Sequence, residues 1–563
     1  MTTSTAPWVS AVSSQSDLQA AIEEILLRVK SYHDINAFHS VIFFVSSAYE
    51  AAAFSYDLIA EGISTHAPNI KNIIGCTTGG VIGAEDPTVS QKPSEIENRA
   101  ALSVLLLKGD FQTQVTYYDP GSVEDLANRE VLASTNATTG ISFILATEST
   151  KAHLTRFMDQ LSALDGISDC FGGLASSVSS YHKPKVFTSS AEDAKRLERR
   201  SEGLIVLTLQ GKIGANFFIA KSCVPIGPLF EISSTVGNEI LSLRRYNSST
   251  IAEDALPPLV QLERILQECS STGKYWLTRE LIFSCVQKSP NELFQSGHGS
   301  VQTERDFFSQ RASAFNPYSG SITAPSQPAQ GGTFQFCVRN SLTTKLSVLN
   351  SQKELSKYLS LSNSPPLAAL MINAVDRGSK SFKYQSWESL QVYFTLKDTE
   401  FDIPVVGMFS SGAFARLALS SSKTSACITE ADTVFGVISE ESLPYSSRDI
   451  DEDEMLQSLD MMTDFELKHF SDENDTIIVD KTAEVSNTVR VAGLDYFVPD
   501  KMPQARFVLE DLVWVRLKDA DRMKERFPMK RALTQAKVGF LIFYDFVDDI
   551  YRRSLRVNFL KGI

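Results

Sequence analysis

The apolar runs of this chain limit its fold more than any other feature, because they are strand-sized and alternate with stretches of helical spacing. Residues 16–31 place Leu18, Ala21, Ile22, Ile25, Leu26 and Val29 at helical intervals behind a candidate N-cap, Ser16. Residues 40–47 then form a β-rich run, 48–60 read as a second helix, and Ile73-Ile74 enters a turn at Gly75. Strands are predicted at 100–107, 112–118, 141–146, 203–208 and 215–220, with helices at 123–132 and 152–161. The grammar is mixed α/β, and the interruption Pro225-Ile-Gly-Pro228 closes this first region near residue 250.

Helical spacing resumes over 255–286, and 296–332 is rich in Ser, Gly, Pro and Gln, as in a loop or linker. A second α/β region follows, with a strand at 334–338, a helix at 352–359 and strands at 367–374 and 403–406. One element repeats: Ile73-Ile-Gly-Cys-Thr-Thr-Gly-Gly80 aligns without a gap with Val405-Val-Gly-Met-Phe-Ser-Ser-Gly412. The expected organisation is therefore two related α/β halves with mixed sheets, at 10–255 and 331–427, joined by a connecting segment at 256–330. An acidic linker at 428–480 then leads to a C-terminal region at 481–563, either a small domain or a completion of the second half.

Composition narrows the function. With 563 residues, 53 Lys+Arg against 67 Asp+Glu and no dense basic run, the chain repels nucleic acid and anionic membrane surfaces. No apolar run reaches the roughly 20 residues of a membrane span. The seven cysteines are scattered without a Cys-x-x-Cys pair, which suits a reducing compartment. The first residues carry no secretory or transit pattern, so the expected location is cytoplasmic or nuclear.

Catalytic templates fail. Gly273-Lys274 is followed by Tyr275 rather than the hydroxyl residue of a phosphate loop, and Gly75, Gly79, Gly80 and Gly83 lack dinucleotide spacing. Gly407-Met-Phe-Ser-Ser-Gly412 is one residue too long for a nucleophile elbow. The seven histidines show no zinc-ligand spacing, so neither metal nor cofactor is expected.

What remains is a set of small-residue turns at strand ends, where backbone N–H groups and hydroxyls can face a guest in an open α/β sheet. The candidate ligand-binding residues are Cys76, Thr77, Thr78 and Gly79 in the first turn and Gly172, Gly173 and Ser176 in the second. Ser410, Ser411 and Gly412 form the third. Any one of them taken alone reads first as a tight turn with capping hydroxyls and no guest. Arg377, in Asp376-Arg377-Gly378, adds a guanidinium able to clamp a carboxylate, or simply an exposed turn. Cys223 and Pro225 lie at the Pro/Gly interruption. Cys76 and Cys223 are the candidates for a thiol-dependent reaction, although neither has a basic neighbour in sequence to lower its pKa.

In order, these turns resemble the FIST family, whose name joins F-box and intracellular signal transduction. Its N-terminal part is similar to Ile73-Ile-Gly-Cys-Thr-Thr-Gly-Gly-Val81, Cys170-Phe-Gly-Gly-Leu-Ala175, Ser222-Cys-Val-Pro-Ile-Gly-Pro228 and Val236-Gly-Asn-Glu-Ile-Leu241. Its C-terminal part is similar to Gly331-Gly-Thr-Phe-Gln-Phe-Cys-Val-Arg-Asn340, Ala369-Leu-Met-Ile-Asn-Ala-Val-Asp-Arg-Gly378 and Pro404-Val-Val-Gly-Met-Phe-Ser-Ser-Gly412. Coverage runs from about residue 10 to 420. Two positions depart from the family pattern: Ala374 stands where a cysteine often precedes Arg-Gly, and Ala413 where a glutamate often follows the last glycine.

The resemblance implies a non-enzymatic module that senses a small molecule of the amino acid or carboxylate class, or a protein segment. Animal members related to F-box only protein 22 imply ubiquitin ligase subunits as partners and a link to ubiquitin-dependent degradation. The FIST-like helix begins almost at once in this sequence, so a preceding F-box is not expected. A scaffold that recruits ubiquitin-pathway subunits without a small ligand, and a thiol-dependent enzyme, are the alternatives.

Overall fold

A computed structural model describes residues 8–440 with interruptions, the longer ones at 128–139, 247–254, 270–281 and 288–308. Beyond 440 it describes only the paired strands Val485–Val491 and Leu494–Pro499. The acidic linker expected at 428–480 lies outside the described residues from 441 on, as does the C-terminal region expected at 481–563 apart from those two strands. The chain divides into two compact units, one of residues 1–221 with 351–448 and one of 222–350 with 449–563.

The first unit contains three six-stranded sheets. The first runs β1 (Val9–Ser13), β6 (Leu102–Leu107), β2 (Ser40–Ser46), β3 (Asn72–Thr78), β10 (Val186–Ser189), β11 (Leu197–Arg200). The second runs β13 (Gly214–Ala220), β25 (Thr433–Ser439), β21 (Pro366–Ala374), β22 (Val405–Ser410), β4 (Gly80–Ala84), β5 (Pro93–Glu97). The third runs β24 (Thr424–Thr429), β23 (Ala413–Ala418), β9 (Asp169–Leu174), β8 (Gly140–Ala146), β12 (Leu204–Gly211), β7 (Phe111–Tyr118). Sequence-distant segments therefore share sheets: β22 pairs with β4, β23 with β9, and β25 with β13.

One shared core explains why the central strands read as continuous apolar runs rather than alternating ones. Phe44 and Ile74 from the first sheet, Ile372 and Met408 from the second, and Phe143 and Phe171 from the third pack together. The opposite face of each sheet buries helices. Helices α1 (Leu18–Tyr32) and α3 (Asp57–His66) cover the first sheet through Ile22, Ile25 and Ile63, all at most 1% exposed. Burying one such side chain stabilises the fold by about 2 kcal/mol. Helices α4 (Pro120–Ala127) and α5 (Leu154–Asp165) cover the third sheet. Leu355 and Tyr358 of α7 (Ser341–Leu361) and Val392 and Leu396 of α8 (Trp387–Lys397) cover the second.

Several boundaries differ from the sequence expectation for local reasons. Asp17, not Ser16, caps α1, its carboxylate accepting from Ala20 N at 2.8 Å. The single helix expected over 48–60 is divided between α2 (Ala48–Ala51) and α3. The helix expected over 123–132 starts earlier, as α4, with its end past Ala127 outside the described residues.

In the second unit, α6 (Pro258–Cys269) accompanies a seven-stranded sheet. Its order is β17 (Ser309–Arg311), β16 (Ile282–Gln287), β20 (Thr333–Arg339), β14 (Cys223–Val236), β15 (Glu239–Arg245), β19 (Ile322–Thr323), β18 (Ala314–Phe315). The helical reading of 255–286 fails at its end, because β16 pairs with β20 there, consistent with the β-branched and aromatic content of Ile282, Phe283 and Val286. The Pro225-Ile-Gly-Pro228 interruption is instead part of a long strand. Its register jumps between Ile226↔Phe336 and Phe230↔Phe334, so extra residues of β14 bulge out where Pro228 has no N–H to donate.

Candidate functional site

Three strand–helix–strand units set the geometry of the first unit, each ending in a parallel pair: β2 with β3, β8 with β9, and β21 with β22. The second strand of each pair carries one of the small-residue turns singled out in the sequence. The three turns meet. Phe409 O accepts from Thr78 Oγ1 at 2.7 Å, from Ser176 Oγ at 2.5 Å and from Gly79 N at 3.3 Å. Gly79 N also donates to Ser176 Oγ at 2.9 Å, and Ser176 N to Thr77 O at 3.0 Å. On the other side Ser410 Oγ reaches Leu174 O at 2.6 Å, Ser411 Oγ reaches Ala175 O at 3.3 Å, and Leu174 N donates to Gly412 O at 2.8 Å.

This is a closed knot: the hydroxyls of Thr78, Ser176 and Ser410 all bond to the protein itself, and Thr77, Thr78 and Ser410 are fully buried. The glycines serve close approach of the chain's own backbone. A Cβ on Gly172 would lie 1.8 Å from Ile144 O, and one on Gly173 would lie 2.4 Å from Met408 Cε. Gly79 is different, since its nearest neighbour would be Val375 Cγ1 at an ordinary 3.5 Å.

Cys76 lies beneath the knot in the shared core, its Sγ 3.3 Å from Met408 Sδ, and burial pushes its thiol pKa far up. A sealed, protonated thiol has no nucleophilic character. Arg377 is also fully buried. Its Nε donates to Glu388 Oε2 at 3.1 Å, its Nη2 to Glu388 Oε1, and its Nη1 to Ala220 O at 3.0 Å, so its fork holds an internal carboxylate. Cys223 and Pro225 belong to the second unit, on β14, opposite Arg339 and Cys337 of β20, with Cys223 buried. Of the sequence candidates, the structure thus brings together the three turns. Cys76 lies sealed in the core below them, Arg377 is taken up by Glu388, and Cys223 and Pro225 belong to the second unit.

A second polar cluster at the ends of β2, β3 and β9 was not legible as a motif. Ser47, just past β2, accepts from Ser177 Oγ and from Val178 N, both at 2.9 Å. Glu50 on α2 pairs through Oε1 with Lys185 Nζ, while its Oε2 lies 3.7 Å from His182 Nδ1, beyond hydrogen-bond reach. That Oε2 is buried and has no hydrogen-bond partner among the described residues. The hydroxyl of Tyr56 shares this condition, on a side chain only 2% exposed whose ring packs 5.0 Å from that of Phe187. Burial raises the Tyr56 pKa, and the Glu50 charge raises it further against the opposing pull of Arg199. The phenol is therefore a neutral O–H at physiological pH. Lys185 ties the cluster to the knot, since its backbone N donates to Thr77 Oγ1 at 2.8 Å.

Among the described residues no group of three His, Cys, Asp or Glu side chains could hold a metal ion. No helix among them is long and apolar enough to cross a membrane.

The chain's likeness to known families falls on the same strands. The FIST N domain model matches residues 39–245. This segment is similar to a FIST N domain. FIST domains are generally sensory modules of signal transduction, and small ligands are the molecules they are held to bind. The match runs from the residue before β2 to the last residue of β15, so the FIST N segment contains every member of the Ser47, Glu50, Tyr56, Ser177, His182 and Lys185 cluster. It also contains two of the three turns; the third, at Ser410, Ser411 and Gly412, comes from outside it. No curated protein matches the chain.

Proposed function

We propose that the chain is a non-enzymatic sensory protein whose FIST N segment holds a small ligand at the ends of β2, β3 and β9 and passes that state to a protein partner. The observation that carries this reading is the pair of buried, unpartnered polar atoms, Glu50 Oε2 and Tyr56 OH, inside the FIST N match. A buried polar atom left without a partner costs about 1–3 kcal/mol, and a guest that satisfies both recovers that cost on binding. The saturated knot acts as the frame beside the guest, fixing three strand ends relative to one another. Through Ser410, Ser411 and Gly412 it also couples the FIST N strands to the later segment, whose resemblance to the FIST C part belongs to the same proposal.

The test is thermal. A panel of free amino acids, small carboxylates, amines and amides should contain at least one compound that raises the melting temperature in a concentration-dependent way. A ligand at a hundred times its Kd adds about 2.7 kcal/mol to the native state. A flat response to the whole panel would count against a small-molecule sensor. A link to ubiquitin-dependent degradation belongs to the same proposal and rests on the resemblance to F-box-bearing animal members alone; affinity purification that recovers no ligase adaptor or cullin would remove it.

A further inference from the structure

The chemistry of the two unpartnered atoms narrows the guest. Glu50 Oε2 can only accept a hydrogen bond when ionised, and the neutral Tyr56 hydroxyl can donate one. The charge of Glu50 is already matched by Lys185 on its other oxygen. An anionic guest would set a second negative charge against Oε2, with repulsion at a half-buried carboxylate. A cationic guest would leave two positive charges sharing one carboxylate, with Arg199 also close enough to act on Tyr56. An uncharged guest avoids both costs.

We infer that the Glu50 and Tyr56 site takes an uncharged primary carboxamide, its N–H donating to Glu50 Oε2 and its carbonyl accepting from the Tyr56 hydroxyl. Lys185 and His182 face Glu50, Ser177 bonds to Ser47 three residues before it, and the Glu50 charge acts on the Tyr56 phenol. This rests on the ligand-sensing reading above and narrows it from the broader amino acid or carboxylate class to one functional group.

Three probes of nearly equal size separate the possibilities: propionamide, propionate and propylammonium. Saturation-transfer NMR on the full chain should show contact with propionamide and none, or at least tenfold less, with the two ions. Losing a single hydrogen bond of this kind weakens binding by about tenfold, so Tyr56→Phe and Glu50→Gln should each reduce propionamide affinity by about that factor. Tyr56→Phe also has an unliganded readout. If its hydroxyl has no partner in the protein, the variant melts no lower than wild type, and a clear drop in melting temperature would overturn the assignment of that hydroxyl to a guest. Stronger binding of propionate or propylammonium, lost in Tyr56→Phe, would overturn the amide class while leaving the sensing site in place. Propionamide binding that persists unchanged in both variants would overturn the site itself. Absence of binding by all three, alongside melting shifts from other compounds, would overturn the class but not the sensor.

Discussion

At the residue scale, the structure separates side chains that look alike in sequence. Glu95 on β5 is 1% exposed, and its carboxylate accepts from Ser389 N at 3.0 Å while its other oxygen has no partner among the described residues. Burial, and secondarily the Glu388 charge, push its pKa up to about 7 from 4.5. The unfolded chain then releases this proton near pH 4.5 whereas the folded unit keeps it to about 7. Stability from this group is full below 4.5 and falls as pH rises to about 7, by about 3 kcal/mol. Glu95→Gln should abolish that slope, so the gap in denaturant midpoint between variant and wild type should widen from pH 5 to pH 8; a constant gap would contradict the burial argument.

Cys76 allows a simpler check. Native protein treated with iodoacetamide at neutral pH should leave Cys76, Cys170, Cys223 and Cys337 unmodified, since all four are buried, and should label them once unfolded. Native modification of Cys76 would revive a thiol-dependent reaction.

At the element scale, strands were more legible than their ends. β2, β6, β8 and β21 are buried on both faces, so their composition announces them. Pairing was not legible, because β4 finds β22 more than 300 residues away and no local pattern encodes that choice. The glycines were legible as special but not for their purpose. Gly172 and Gly173 permit backbone and core approach rather than a guest, which separates two neighbouring positions experimentally. Gly172→Ala should cost about 3 kcal/mol, or prevent folding, since the clash is with the backbone oxygen of Ile144. Gly79→Ala should change stability by less than about 0.5 kcal/mol, since its surroundings are at ordinary contact distance. Equal effects in urea denaturation would contradict the packing account.

At the scale of the whole molecule, the interleaving of distant segments is the main organisational fact. The first unit draws its second sheet from residues 80–97, 214–220, 366–374, 405–410 and 433–439. A fragment of residues 1–250 holds the entire FIST N match yet lacks β21 to β25, which leaves β13 without β25 and strips β4 and β9 of one of their two neighbours, β22 and β23. Such a fragment should lack a cooperative unfolding transition and should bind a hydrophobic dye, whereas a sharp transition would show that the FIST N segment folds alone. The turns were legible because Gly, Ser and Thr cluster at strand ends. The Glu50 and Tyr56 cluster was not, because its members are single polar residues from two distant stretches, 47–56 and 177–185, that only the fold brings together.

The central claim is that a small guest is held at the ends of β2, β3 and β9 within the FIST N segment. Hydrogen exchange on the full chain, with and without a compound that raises the melting temperature, tests it most directly. The account predicts protection concentrated in peptides covering residues 46–58 and 176–189, and its disappearance with Tyr56→Phe at the same ligand concentration. Protection confined to residues 222–350, or unchanged by Tyr56→Phe, would contradict it.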